Sequence, residues 1–225
     1  MSNKFLIITS NLGGKDIIID PDVTFPDCDY MAFVDIATGL KVWNEYAAYQ
    51  FSNIDSYKDR RNAKLYKVLA TLMFPQYEYI IWHDASFNLR VNPKEILDEY
   101  GDFELLLFNH PHRNCCYDEM DIVTVRNLES ETVTKKQKEF YLQEGLPKNY
   151  GLFEMTCFIR KNTMTVTNLE LMWWEQICKY SSRDQCSLTY CLWKSQQKPS
   201  IKLFNGRAMM YAGGNKYFIE RPHLK

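Results

Sequence analysis

The sequence predicts an α/β domain built on a mostly parallel central sheet flanked by helices. Residues 4–9 (KFLIIT), 30–35 (YMAFVD), 79–82 (YIIW) and 103–108 (FELLLF) are apolar runs of strand length without polar alternation, the pattern of strands covered on both faces. Between and after them, apolar residues recur at helical spacing. Each run also opens onto polar residues at its carboxyl end, the edge at which open α/β sheets bind ligands.

The first run leads into Ser10-Asn11-Leu12-Gly13-Gly14. A small polar loop with glycines lets a ligand approach backbone amides, although a Gly-Gly pair is equally a plain turn. The second run ends on Asp35, which points to a rim shared with Ser10 and Asn11.

From Asp59 the period changes. Ala63, Tyr66, Leu69, Ala70 and Met73 recur at helical spacing, with Arg60, Arg61, Lys64 and Lys67 along a neighbouring face, until Phe74-Pro75 stops the helix. The strand at 79–82 follows, running without a turn residue into His83-Asp84-Ala85-Ser86. A basic stripe beside an acidic strand end suits a nucleoside diphosphate, with cations for the phosphates and a carboxylate for a bridging metal. Taken singly, each base also reads as solvated helix surface, and Asp84 as the cap of a turn. If the strand extends to His83, that side chain points away from Asp84.

Asn92-Pro93 opens a short surface helix that Gly101 closes. After the strand at 103–108 comes a polar loop with His110, His112, Arg113, Cys115 and Cys116. Adjacent cysteines without a second ligand pair argue against structural zinc. His110 and Arg113 fit better as contacts to a polar substrate, or His110 as the partner of a buried carbonyl. Residues 121–143 read as one exposed helix, ended by Gly145-Leu146-Pro147, and residues 155–160 as a further strand with Glu154 at its start. Residues 168–180 form an amphipathic helix with Leu169, Met172, Trp173 and Ile177 inward. Ser182-Arg183-Asp184-Gln185 has the form of a capping box. Asp184 is therefore favoured by the helix dipole whatever its use, and can equally serve as a base or hold a sugar hydroxyl. Short strands and turns follow, with Arg207 and His223 among the late polar groups.

The net charge of −1 over 225 residues offers no footprint for nucleic acid. Seven cysteines without a CxxC pair read as reduced thiols, and no apolar span reaches membrane length, so the expected setting is the cytoplasm. No repeat or linker divides the chain, which is expected to form one domain, complete or as the N-terminal part of a longer protein.

In order, the chain carries Phe74-Pro75, Trp82-His83-Asp84, His110-Pro111-His112-Arg113, Tyr117-Asp118-Glu119, Tyr150-Gly151-Leu152-Phe153-Glu154, Trp173-Trp174-Glu175 and Ser181-Ser182-Arg183-Asp184-Gln185. This set resembles the glycosyltransferase-like domain family of plant mucilage and turgor-related proteins, across residues 58–195. A looser similarity extends to a capsid-modifying glycosyltransferase of a large algal virus. The resemblance implies a GT-A, Rossmann-like fold and transfer of a sugar from a nucleotide diphosphate, UDP above all, to a glycan or glycoprotein hydroxyl. A Mn or Mg ion would assist. On that hypothesis Ser10, Asn11 and Asp35 line the nucleoside pocket, Arg61 and Lys64 face the diphosphate, and Asp84 and Ser86 bind the metal and its phosphates, with His223 or another late residue as a further ligand. Asp184, with Glu154 in reserve, becomes the catalytic acid or base, and His110 and Arg113 meet the sugar or acceptor. One departure stands out: Ser86 occupies the second acidic position of the Asp-x-Asp pattern, and serine is a poorer ligand than carboxylate, so either Asp84 holds the ion with help from elsewhere or the metal is weak or absent. Two other readings remain open, a zinc-dependent amide hydrolase of ceramidase type and a carbohydrate-binding module without turnover.

Overall fold

The computed structural model describes residues 4–14, 16–51, 57–208 and 215–221. Its strands are β1 (Phe5–Asn11), β2 (Cys28–Val34), β3 (Asn44–Ala47), β4 (Tyr79–His83), β5 (Phe87–Leu89), β6 (Leu105–Asn109), β7 (Phe153–Lys161), β8 (Ile201–Leu203) and β9 (Phe218–Glu220). The helices are α1 (Lys58–Val68), α2 (Ala70–Met73), α3 (Pro93–Tyr100), α4 (Cys116–Val125), α5 (Glu131–Glu144), α6 (Met164–Lys179) and α7 (Asp184–Lys194).

Seven strands form the main sheet in the order β3-β2-β1-β4-β7-β6-β8, while β5 and β9 pair separately. β1 lies parallel to β2 and β4, β2 to β3, and β6 to β8. Only β7 is reversed, antiparallel to both β4 and β6. The mostly parallel sheet is thus present, with one inverted strand that the sequence did not announce. Apolar composition reports burial on two faces and says nothing of direction.

Alternation along the strands separates two cores. Leu6, Ile8, Ile80 and Trp82 face the layer of α1, α6 and α7, where Tyr66, Val68, Trp173 and Leu188 meet them. Ile7, Ile81 and Ile159 face the opposite layer with Trp43, Ile96 of α3, Phe204 and Phe218. His83 belongs to that second side and packs edge-on against Trp43, with ring centroids 5.4 Å apart. Trp82 and Asp84 therefore share the α1 side.

Local signals hold where the chemistry is local. The Asn92 side chain accepts from Lys94 N at 3.0 Å, Pro93 opens α3, and Gly101 ends it at φ 64°. Two stretches differ from expectation. The polar region expected as one helix is two, α4 and α5, because the chain turns at Asn127, whose φ of 51° lies in the left-handed region that asparagine tolerates. The capping box at Ser182 does not form: α7 begins at Asp184 without a side-chain cap. Instead the Ser182 N–H and hydroxyl both donate to Glu129 Oε2 at 2.8 Å. Glu129 is buried, and a buried carboxylate without donors is far more unfavourable than an uncapped helix end. Among the described residues, no helix is long and apolar enough to cross a membrane.

Candidate active site

The carboxyl ends of β1, β2 and β4 lie side by side because these strands are parallel neighbours. Two adjoining cavities open there. The first, about 280 Å3, lies between the loops after β1 and β2 and is lined by Asn11, Asp16, Ile17, Ile18, Asp35 and Ile36, among others. The second, about 190 Å3, lies between β1, α1 and β4, with Ser10, Arg60, Lys64, Trp82, Asp84 and Arg183 in its wall. Asn11 and Asp16 belong to both.

The loop after β1 is held open by its own polar groups. Asn11 donates to Asp16 O at 2.5 Å, and Gly13 N donates to Asp35 Oδ2 at 2.6 Å. Gly13 sits at φ +76°, a conformation that favours glycine, and a Cβ there would stand 2.6 Å from Asp59 Oδ2, so the Asp59 side chain would have to shift. Asp35 also accepts from Gln50 at 3.0 Å. Ser10 is buried, and its hydroxyl donates to Ala63 O at 3.3 Å, tying β1 to α1.

Under the second cavity lies a chain of alternating charge. Asp84 Oδ1 accepts from Trp82 Nε1 at 2.9 Å and lies 3.3 Å from Lys67 Nζ. Lys67 Nζ is 2.6 Å from Asp184 Oδ2, which Lys64 Nζ also contacts at 2.9 Å. Burial would raise the Asp184 carboxyl, but the two ammonium groups overcome it and hold it well below the usual carboxylate range. Burial pulls Lys64 down to about 8 against the attraction of Asp184. For Lys67, Asp184 and Asp84 together outweigh burial and raise it. The Asp84 side chain is 41% exposed, whereas Lys67 behind it is 1% exposed.

The sequence-predicted residues separate clearly. Ser10, Asn11, Asp35, Lys64 and Asp84 come together around the two cavities. Arg61 does not join them: it is buried and donates to Ile177 O and, at 3.1 Å, to Tyr180 O, binding the carboxyl end of α6. At about 100° per residue, Arg60, Lys64 and Lys67 make one stripe, and Arg61 falls outside it. Arg60 takes its place in the cavity wall, and the sequence signal was that i, i+4, i+7 spacing. Arg183 was also missed; it faces the same cavity from the start of α7, and its buried Nε has no hydrogen-bond partner.

Asp184, expected as a base, is buried and paired twice, and a carboxylate so held is a weak proton acceptor. Glu154 is buried and accepts from Ala208 N at 3.1 Å, on the side of the second core rather than beside Asp184. Ser86 is buried, outside the lining of both cavities, with its carbonyl accepting Arg221 N at 2.7 Å. His110 is pushed down to about 4 by burial and then by Arg113, and its Nδ1 accepts from Arg113 N at 3.1 Å. Arg113 Nε donates to Glu119 at 2.6 Å. These two organise their loop with the contacts they make. His223 lies outside the described residues. Cys115 and Cys116 are buried free cysteines, and burial lifts the Cys116 thiol to about 12. Among the described residues, no three His, Cys, Asp or Glu side chains gather where they could hold one metal ion, the arrangement that a zinc hydrolase requires.

A mostly parallel open sheet with a charged cleft across the carboxyl ends of β1, β2 and β4 is the arrangement of a ligand-binding open α/β domain. The chain belongs to the TOD1/MUCI70 glycosyltransferase-like domain family, whose model matches residues 43–211. Membership makes it a glycosyltransferase-type domain. The Arabidopsis thaliana protein described as "Probable hexosyltransferase MUCI70" is 28% identical over 141 residues, covering 58% of this chain. The match spans 24% of that relative's length. Among solved structures, the apo WbbM bifunctional glycosyltransferase is similar at TM-score 0.48 and 10% identity, over 84% of this chain and 38% of its own. Apo mouse xyloside xylosyltransferase 1 is similar at TM-score 0.47 and 9% identity, over 89% and 84%.

Proposed function

We propose that residues 1–225 form one catalytic domain that transfers a sugar from a nucleotide diphosphate, UDP above all, to a hydroxyl of a glycan or glycoprotein, assisted by Mn or Mg. The observation that carries this reading is the cavity in which the exposed Asp84 carboxylate faces Arg60, Lys64 and Arg183. The adjoining cavity receives the nucleoside, with Asp35 at the end of β2, where open α/β domains place the acid that binds ribose hydroxyls. Its volume is about 280 Å3. Arg60, Lys64 and Arg183 bind the diphosphate.

The residues fit a divalent ion. Mg and its analogues use one or two carboxylates and take remaining ligands from phosphate and water, and Asp84, which shares its cavity with Asp16 and Asp59, offers a carboxylate open to the cleft. Bound there, the ion would neutralise charge developing on the leaving diphosphate. Asp184 serves as the anchor of Lys64 and Lys67 rather than as the base. Seven free thiols support a reducing, cytoplasmic setting.

The test is thermal stabilisation by nucleotide diphosphates with and without Mn. UDP with Mn should raise the midpoint more than GDP, UMP or Mn alone, following the free-energy increment RT ln(1 + [L]/Kd). No response to any nucleotide would remove the donor reading. A pH dependence follows from Lys64. Only its protonated form pairs with phosphate, so UDP affinity with Mg should fall as pH rises through about 8, by at most about tenfold per unit for one proton. Calorimetric titration of Lys64→Arg across the same range should give a flatter profile, because guanidinium stays charged.

A further inference from the structure

Lys67 enters neither cavity wall, yet its ammonium contacts two carboxylates. Its ammonium lies 2.6 Å from Asp184 Oδ2, 3.3 Å from Asp84 Oδ1 and 5.3 Å from the centre of the Trp82 ring. Its backbone carbonyl accepts from Arg160 Nη2 at 2.5 Å, which fixes this end of α1. A cation of the protein's own is thus built in behind the carboxylate proposed to receive the metal.

We infer that Lys67 competes with the divalent ion for Asp84, so that the cleft takes up metal only together with the donor diphosphate. The inference rests on the metal-assisted reading of this site. Asp84 Oδ1 is committed to Trp82 and Lys67, which leaves Oδ2 to face the cleft. A dication at Oδ2 meets the repulsion of the ammonium behind it in a partly desolvated site, where charge interactions are strong. No set of three protein ligands compensates, since no three acidic, His or Cys side chains converge among the described residues. The donor diphosphate supplies the missing negative charge and oxygens. Asp184 gives Lys67 a place to stay when the metal arrives, because it already holds the ammonium at the shorter distance. In the cavity wall Arg60, Lys64 and Arg183 stand against Asp16, Asp59 and Asp84, so no excess of negative charge draws in a bare dication until a polyanion is present.

Mn binding by electron paramagnetic resonance, without turnover, tests this on the whole chain. Wild-type protein alone should bind Mn at least ~10-fold more weakly than protein with saturating UDP, and Lys67→Met should tighten binding without UDP by ~10-fold. Asp184→Asn makes the opposite prediction: with its second anchor gone, Lys67 remains on Asp84, and Mn affinity in the presence of UDP falls by ~10-fold. This second variant carries the test if Lys67→Met does not fold, as judged by circular dichroism. Equal Mn affinity of foldable Lys67→Met and wild type without UDP would overturn the role of Lys67, as would unchanged affinity in Asp184→Asn, while UDP-dependent Mn binding left the functional reading standing. Absence of Mn binding even with UDP would overturn both.

Discussion

Asp84→Asn is expected to abolish the Mn-dependent part of the thermal shift with UDP and to lower kcat/KM on the order of 100-fold, equivalent to about 2.7 kcal/mol of barrier. The fold should survive the change. Asparagine retains an oxygen to accept from Trp82 Nε1, and Lys67 keeps Asp184 as its partner. What is lost is a carboxylate that is 41% exposed in the cavity it shares with Arg60, Lys64 and Arg183. Metal-free UDP binding should stay within a few-fold of wild type, since its cations are untouched. If transfer and the Mn response both persist at wild-type levels, Asp84 is not the metal ligand.

Glu170→Gln is expected to destabilise the protein by about 3–5 kcal/mol, the usual effect of removing one partner of a buried ion pair. That corresponds to a lower melting midpoint by roughly 10 °C in a domain of this size. Glu170 and Arg160 are buried on α6 and β7, and Glu170 accepts from Arg160 Nη1, from Thr71 N at 3.0 Å and from the Thr71 hydroxyl at 2.6 Å. Neutralising Glu170 leaves a guanidinium in the core whose Nε has no partner. Arg160 also donates to Lys67 O, so the loss should reach α1 and weaken UDP binding near the melting transition. Differential scanning calorimetry measures it directly, and a shift of only one or two degrees would show that Arg160 is satisfied without Glu170.

The contrast between Arg61 and Lys64 shows how much of the site was legible in the sequence. Helical spacing fixed which bases share a stripe, and the polar end of β4 marked Asp84, because both depend on residues close in the chain. Helical spacing could also have favoured Arg60 over Arg61, but only if the face turned to the sheet edge were known. Asp184 was visible as an acid at a helix start. Its burial between Lys64 and Lys67, which changes what it can do, depends on α1 and α7 meeting across the sheet. The same holds for Ser182, whose local sequence offers a cap while Glu129, 53 residues away, claims its hydroxyl. The strands were legible as buried segments, but the reversal of β7 was not, since direction is set by the connections on either side.

The contact between Lys64 and Asp184 joins positions 120 residues apart, across the inverted strand β7 and its pairings with β4 and β6. A nascent chain can therefore form the β1–β2 edge and the cavity proposed for the nucleoside early, from neighbouring segments. The cavity proposed for the diphosphate has to wait until Arg183 and α7 have been made and have crossed back. Contacts so distant in sequence slow the late steps of folding. A donor nucleotide present during refolding should accelerate only the last of those steps, because until then half of its binding surface does not exist.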